Sequence, residues 1–332
     1  MLLGTLIQFI LQPKQKINMP DSLNKIYDIA IVGSGPAGFA ASIYASRYRM
    51  SNIVFGKLLG GAISEAHKVC NYPGLEDISG MELSMNFYNH AKNLGGEHVI
   101  EHVTDIDKKD NLFHITTDTK KDYFAKTIIL TIGTNRNKLN VEKEDYYLGK
   151  GLSYCTTCDA AFFRDKVVAV IGGSSAATMA ATMLSDIAKK VYIVYRGTQL
   201  RGEPAWIDEV SKKNNVDIIY TTVVTGLEGE QKLEKLKLSK KYNGSEYLEI
   251  DGAFVEVGSQ PNIDLAMKLG IDIDKKGYIQ VQGDQSTSLE GVWAAGDCTS
   301  ASNRFRQVIT AASEGAVSAN AIFTYLKGEK SS

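Results

Sequence analysis

The chain has 332 residues, 44% of them hydrophobic and 23% charged, with a formal net charge of −1. That length allows one large or two medium domains, each with a core of its own, and the composition is that of an ordinary globular protein. No basic excess points to nucleic acid and no polybasic run points to an anionic membrane, so neither is expected as a partner.

Residues 1–24 read as an N-terminal extension. Its apolar run, Leu2 to Leu11, is about half as long as a membrane helix needs. The run is like a signal-peptide core, but no basic residue precedes it and no small-residue cleavage site follows. The reading taken is a disordered or mis-started extension, with Met19 as the start. A targeting or anchoring role is the alternative. The expected location is cytoplasmic, and four cysteines are too few for a disulfide scaffold in a chain this long.

Next come two versions of one plan. YDIAIVGSGPAGFAASIYASRYRMSNIVF (27–55) and KVVAVIGGSSAATMAATMLSDIAKKVYIVY (166–195) each hold a β-branched strand, a glycine turn, an alanine-rich helix and a second strand. That is a βαβ unit, and two of them predict two doubly wound α/β domains. In the first copy Gly33-Ser34-Gly35-Pro36-Ala37-Gly38 is a complete G-x-G-x-x-G after a strand and before a helix, which points to dinucleotide binding. Gly33 allows the turn, Gly35 lets backbone approach a pyrophosphate, and Gly38 lets helix and strand pack closely. The acidic residue expected after the second strand is missing, since the chain reads Phe55-Gly56-Lys57. A ribose contact must come from elsewhere, with the backbone around Gly60 and Gly61 as the candidate.

Just before the second copy stands Cys155-Thr156-Thr157-Cys158-Asp159. Zinc would need further ligands nearby, and all five histidines precede residue 115. A purely structural disulfide closing so small a loop would stabilise little. A redox dithiol fits best, because it opens and closes with little backbone movement. In the second copy Gly172 and Ala177 fit the fingerprint, but Ser174 replaces the middle glycine. A working, weakened nicotinamide site and a degenerate scaffold both remain open. Near the end, GVWAAGDCTSASNRFRQVITAASEGAV predicts a strand ending in Gly296-Asp297 and a helix from about Arg306. The positive end of such a helix can face an anion. Asp297 is either a ligand for flavin ribityl hydroxyls or a plain loop aspartate. Cys70 and Cys298 are expected to be buried small hydrophobes.

With these residues in place, the chain resembles the low-molecular-weight thioredoxin reductases, FAD-dependent pyridine nucleotide-disulfide oxidoreductases. The resemblance rests on the early G-x-G-x-x-G, the C-x-x-C-D before a second nucleotide fold, and the late G-D leading to R-Q and a helix. It implies a homodimer and two Rossmann-like, three-layer domains, the second inserted into the first. An FAD domain would cover 25–136 and 258–332, and a pyridine-nucleotide-type domain with the C-x-x-C would cover 137–257. FAD contacts would fall on Gly33 to Gly38, on Phe55, Gly56, Gly60, Gly61 and Ala62, and on Asn71, Gly133, Gly296, Asp297, Arg306, Gln307 and Val308. The family usually has G-G-Q where this chain has Gly60-Gly61-Ala62, so one amide contact is lost.

The resemblance also assigns roles at the dithiol. Cys158 would face the flavin, Cys155 would attack the substrate disulfide, and Asp159 would act as general acid or base; a turn or capping role for Asp159 is the plainer reading. Pyridine-nucleotide contacts would be Gly172, Ser175 and Ala176, with Arg196 and Arg201 on the phosphate. Where NADPH-using members carry H-R-R-x-x-x-R, this chain has Tyr195, Arg196, Gly197 and Arg201. One lost arginine weakens phosphate binding roughly 10–100-fold. No acidic residue ends that strand either, so NADPH, NADH, and a donor such as ferredoxin or a deazaflavin all stay open. The implied activity is electron transfer from a donor through FAD and Cys155–Cys158 to thioredoxin or a similar protein. A flavin oxidase and a non-enzymatic flavin redox sensor are the rival readings. No metal is expected.

Overall fold

The computed structural model describes residues 25–109 and 111–328, so the extension read at residues 1–24 lies outside the described residues. The first sheet has a parallel middle. Ile26–Val32 lies between Asn52–Phe55 and Asp122–Leu130, with Val32 opposite Phe55 on one side and Leu130 on the other. Glu97–Val99 extends it beyond Asn52–Phe55. The antiparallel strands Val103–Lys109 and Leu112–Thr117 continue it from the first half of Asp122–Leu130. The second half of that strand pairs with Val292–Ala294. A strand from near the end of the chain therefore completes a sheet begun at residue 26.

Everything in the second sheet falls between those parts. Val216–Ile219, Lys190–Val194, Val167–Ile171, Gly252–Val255 and Leu152–Ser153 lie side by side and parallel. An antiparallel meander, Val224–Glu228, Lys235–Tyr242 and Ser245–Glu249, packs on it. The architecture is thus two Rossmann-like α/β units, the second inserted into the first. Where the chain passes between them, Thr134–Arg136 and Ser259–Pro261 pair with each other as an antiparallel ribbon.

Central strands such as IAIV and VAVI are buried on both faces, which is why they read as unbroken apolar runs rather than alternating ones. The helix Pro36–Arg47 starts on a proline, whose missing N–H costs nothing in a first turn. It packs along Val308–Leu326, whose small residues Ala311, Ala312, Gly315, Ser318 and Ala319 form one buried stripe. The helices come close at Gly315, where a Cβ would stand 2.0 Å from the Ala37 carbonyl oxygen.

Gly315→Ala therefore sets two effects against each other. Helix propensity would gain about 1 kcal/mol, whereas pushing two backbones apart costs about 1–3 kcal/mol or more. We expect the second effect to win, lowering the thermal midpoint of the first unit by a few degrees. A midpoint equal to or above that of the parent chain would contradict this packing.

Candidate active site

The first glycine turn is built by close approach. Gly33 has φ +126°, and a Cβ on it would stand 2.1 Å from the Thr131 carbonyl oxygen. A Cβ on Gly38 would stand 1.9 Å from the carbonyl oxygen of Gly33. Gly35 differs, because among the described residues nothing comes nearer to its missing Cβ than the Gly60 carbonyl oxygen at 3.7 Å. Its open side faces a cavity. Ser34 fastens the next loop to this turn: its hydroxyl donates to the Leu58 carbonyl, and its carbonyl accepts from the Gly60 amide. Gly61, at φ +59°, then lies against Gly35 and opens the short helix Gly61–Glu65.

The cavity measures about 890 Å³. Most of the residues singled out for the first nucleotide line it: Gly33 to Ala37, Gly56, Gly61, Ala62, Asn71, Gly133, Gly296, Asp297 and Arg306 to Val308. Gly38 and Gly60 act from behind, through the packing just described. Phe55 lines a second cavity of about 730 Å³, which shares Gly33, Gly56 and Ile132 with the first. Glu101, His102 and Val103 also line it, and sequence reasoning missed all three. They carry no motif; they reach the cavity because a strand begins there, at Val103.

At the far end of the larger cavity, Gly296 has φ +82° and turns the chain into Asp297. Burial first, and then the nearby Glu314 carboxylate, push the Asp297 pKa up to about 6. Glu314 is itself buried, and was also missed. Its carboxylate accepts from the Gly296 amide at 2.7 Å and from the Ser302 hydroxyl at 2.5 Å, so one side chain holds both ends of the loop. The available signal was a lone acid inside an apolar helix, in AASEGAV. Beyond the loop, the Arg306 guanidinium lies 4.5 Å from the centre of the Tyr278 ring, and its buried Nε has no hydrogen-bond partner among the described residues. Asn71 donates to Gln307 at 3.0 Å, and both line the cavity. The predicted helix begins two residues later than expected, at Val308.

Cys155 and Cys158 form a disulfide at the start of the short helix Thr156–Asp159. Ser153, another missed residue, organises it. The Ser153 hydroxyl accepts from the Cys155 amide at 3.0 Å and donates to Asp159 Oδ2 at 2.6 Å. Cys158 is exposed, and neither cysteine lines the large cavity. Asp159 opens instead onto a separate cavity of about 350 Å³, beside Phe162, Lys150, Lys166 and Lys232.

The second glycine turn behaves differently from the first. Gly172 has φ +149°, and a Cβ on it would meet the Glu256 carbonyl oxygen at 2.2 Å, so the turn is as tight as its counterpart. Ser175 and Ala176 open the helix Ser175–Ser185 and line the large cavity together with Met179. Arg196 and Arg201 are exposed and do not line it. Two contacts tie the units together in this arrangement. The Thr157 hydroxyl donates to the Glu65 carbonyl at 2.6 Å, and Arg136, on the ribbon, pairs with Glu65 at 2.6 Å and with Glu256 at 3.3 Å.

One cysteine expectation needs correcting. Cys298 is buried, and burial pushes its thiol up to about 12. Cys70, however, is exposed. It follows the buried Val69 in an extended stretch, where successive side chains alternate sides, and it lines the large cavity.

Comparison with known proteins gives a consistent result. The model of the pyridine nucleotide-disulphide oxidoreductase family matches residues 27–315. A thioredoxin reductase of Mycoplasma genitalium is 38% identical over 294 residues, covering 87% of this chain and 92% of the relative. The crystal structure of Lactococcus lactis thioredoxin reductase in its FR conformation superposes with a TM-score of 0.86 at 31% identity, covering 91% of this chain and 99% of that one. Thioredoxin reductase from Streptococcus pyogenes has similar coverage, 92% and 99%, and 33% identity, but a TM-score of only 0.60.

The Asp297 environment gives a pH signature. In the fold its carboxyl keeps a proton up to about pH 6, against an ordinary value of 3.8. Between those values the folded chain binds the extra proton, so stability falls as pH rises through that window. Asp297→Asn should flatten this dependence and raise the thermal midpoint of the ligand-free chain at pH 7. Parallel curves for the two chains from pH 4 to 7 would refute the assignment.

Proposed function

The chain belongs to the pyridine nucleotide-disulphide oxidoreductase family, on its thioredoxin reductase branch, and from that premise we propose an FAD-dependent reductase of a protein disulfide. The observation that carries the proposal is the Cys155–Cys158 disulfide, with Cys158 exposed and Asp159 beside it, on a unit that also borders a dinucleotide-sized cavity. FAD fits that cavity on three grounds. The Gly35 cradle is a space that any side chain would fill, Gly33 and Gly56 line both cavities, and Asp297 and Arg306, whose Nε has no partner among the described residues, offer polar groups. When bound, FAD supplies the two-electron carrier between donor and disulfide.

The chain's own residues do the rest. Gly33 to Gly38 and the N-terminus of Pro36–Arg47 would hold the pyrophosphate. Asp297, held by Glu314 through Gly296, would bind sugar-type hydroxyls. Reducing Cys155–Cys158 breaks the S–S bond with two electrons and two protons. Asp159, oriented by Ser153, is the candidate to move a proton at the departing thiolate. Cys155 would then attack the partner's disulfide. A pyridine nucleotide is the proposed donor, because Ser175, Ala176 and Met179 border the cavity that would hold the flavin.

This arrangement serves the donor step and leaves the disulfide outside. We infer that the inserted unit rotates about the ribbon of Thr134–Arg136 and Ser259–Pro261 to bring Cys158 to the flavin. Domain limits at 136–137 and 257–258 follow from the same reading. Relatives of similar coverage and identity that superpose to very different extents support it, as rigid units in two relative orientations would produce that difference. The proposed substrate is thioredoxin or a protein like it, meeting Phe162, which is 78% exposed, and the nearby lysines. A homodimer is proposed through exposed apolar residues such as Tyr44, Met81 and Met85. A cytoplasmic setting accords with the two unpaired cysteines. No helix among the described residues is long and apolar enough to cross a membrane.

Cys158→Ser tests the electron route. The variant should bind FAD and have it bleached anaerobically by a donor, while thioredoxin reduction falls to background. Thioredoxin turnover at the parent rate would sink the assignment, and oxygen consumption unaffected by loss of both cysteines would favour an oxidase.

A further inference from the structure

In a βαβ nucleotide unit, the residue that ends the second strand meets the adenosine ribose. A carboxylate there selects a free 2′-hydroxyl, and a nearby arginine selects a 2′-phosphate. In the second unit that residue is Tyr195, just after Lys190–Val194 and still held by the sheet through its amide to the Ile219 carbonyl at 2.9 Å. Its ring is packed on two glycines. A Cβ on Gly173 would stand 2.5 Å from ring carbons, and a Cβ on Gly197 would stand 2.5 Å from another. Real side chains do not approach so closely, so a side chain at either position would require the Tyr195 ring to move.

We propose that Tyr195 is the specificity-determining residue of the donor site, because its ring holds position 197 empty and keeps the phosphate-binding arginine cluster incomplete. Gly197 is then the consequence of the ring as much as the cause of the missing cation. Only Arg196 and Arg201 remain, both exposed, with the Arg201 amide tied to the Gly173 carbonyl at 2.7 Å. The strand end offers no carboxylate for a ribose diol either. The site therefore takes an adenosine nucleotide with a reduced preference for the 2′-phosphate, and an arginine at 197 can serve it only if the Tyr195 ring moves. This rests on the reading that the second glycine turn accepts a pyridine nucleotide, and goes beyond it in naming what sets the choice.

The test is a double-mutant cycle read by calorimetric binding, not turnover. Affinities of the FAD-loaded chain for 2′,5′-ADP and for 5′-ADP are compared in the parent, Gly197→Arg, Tyr195→Ala and the double variant. Tyr195→His/Gly197→Arg serves as a second combination with a smaller ring, and bound-flavin absorbance reports that each variant is folded. Gly197→Arg alone should leave the preference for 2′,5′-ADP unchanged within about threefold. The double variants should raise it about tenfold or more, the effect of one charged hydrogen bond. A tenfold gain from Gly197→Arg alone would overturn the proposal, because the ring would then yield freely. So would double variants with no gain, or a parent chain that binds neither nucleotide. None of these results touches the disulfide chemistry, which Cys158→Ser tests separately.

Discussion

The chain crosses between its two units at Thr134–Arg136 and Ser259–Pro261, and hydrogen bonds join the crossings into one ribbon. On this account all the chemistry depends on that ribbon, because one cavity has to face two things in turn. In the present arrangement the start of Ser175–Ser185 lines the cavity and neither cysteine of the disulfide does. What opposes a change is modest. Arg136 is half-exposed, and a pair of that kind with Glu65 contributes about 0–1 kcal/mol. The Thr157 hydrogen bond to the Glu65 carbonyl adds about 0.5–1.5 kcal/mol.

The two glycine turns show how one plan can diverge. Both use a first glycine that no side chain could replace, Gly33 against the Thr131 carbonyl and Gly172 against that of Glu256. They part at the next step. Gly35 leaves open space in front of the helix, whereas the second turn has Ser174 at that position and Tyr195 lying over Gly173. The first turn leaves backbone open to a ligand, and the second covers Gly173 with an aromatic ring.

Much of this was legible in the sequence, for physical reasons that differ by residue. Gly33, Gly38 and Gly172 stand out because their backbone and packing geometry excludes other residues, so the pattern carries the shape. Cys155 and Cys158 stand out because few roles need two thiols so close together. The repeated βαβ plan carried the two α/β units, and the strand expected before Gly296-Asp297 is Val292–Ala294, which completes the first sheet. Glu314 and Ser153 were not legible, because each acts by hydrogen bonding to groups that only the fold brings near. Glu314 meets a loop 18 residues earlier, and nothing local marks it as a partner of Gly296. Glu65 and Arg136 are 71 residues apart and look like ordinary surface charges until the units are assembled. Cys70 was misjudged because composition favours burial of cysteine, while the alternation at Val69 and Cys70 turns it outward.

The central claim is that the inserted unit moves relative to the flavin-binding unit during turnover. Pulsed dipolar spectroscopy tests it most directly, with spin labels carried on unnatural amino acids at the exposed positions Lys92 and Lys241, one on each unit. The account predicts two distance populations whose ratio shifts between the oxidised chain and the chain reduced anaerobically. A single distance, unchanged in every redox state of a chain that still reduces its disulfide partner, would contradict it.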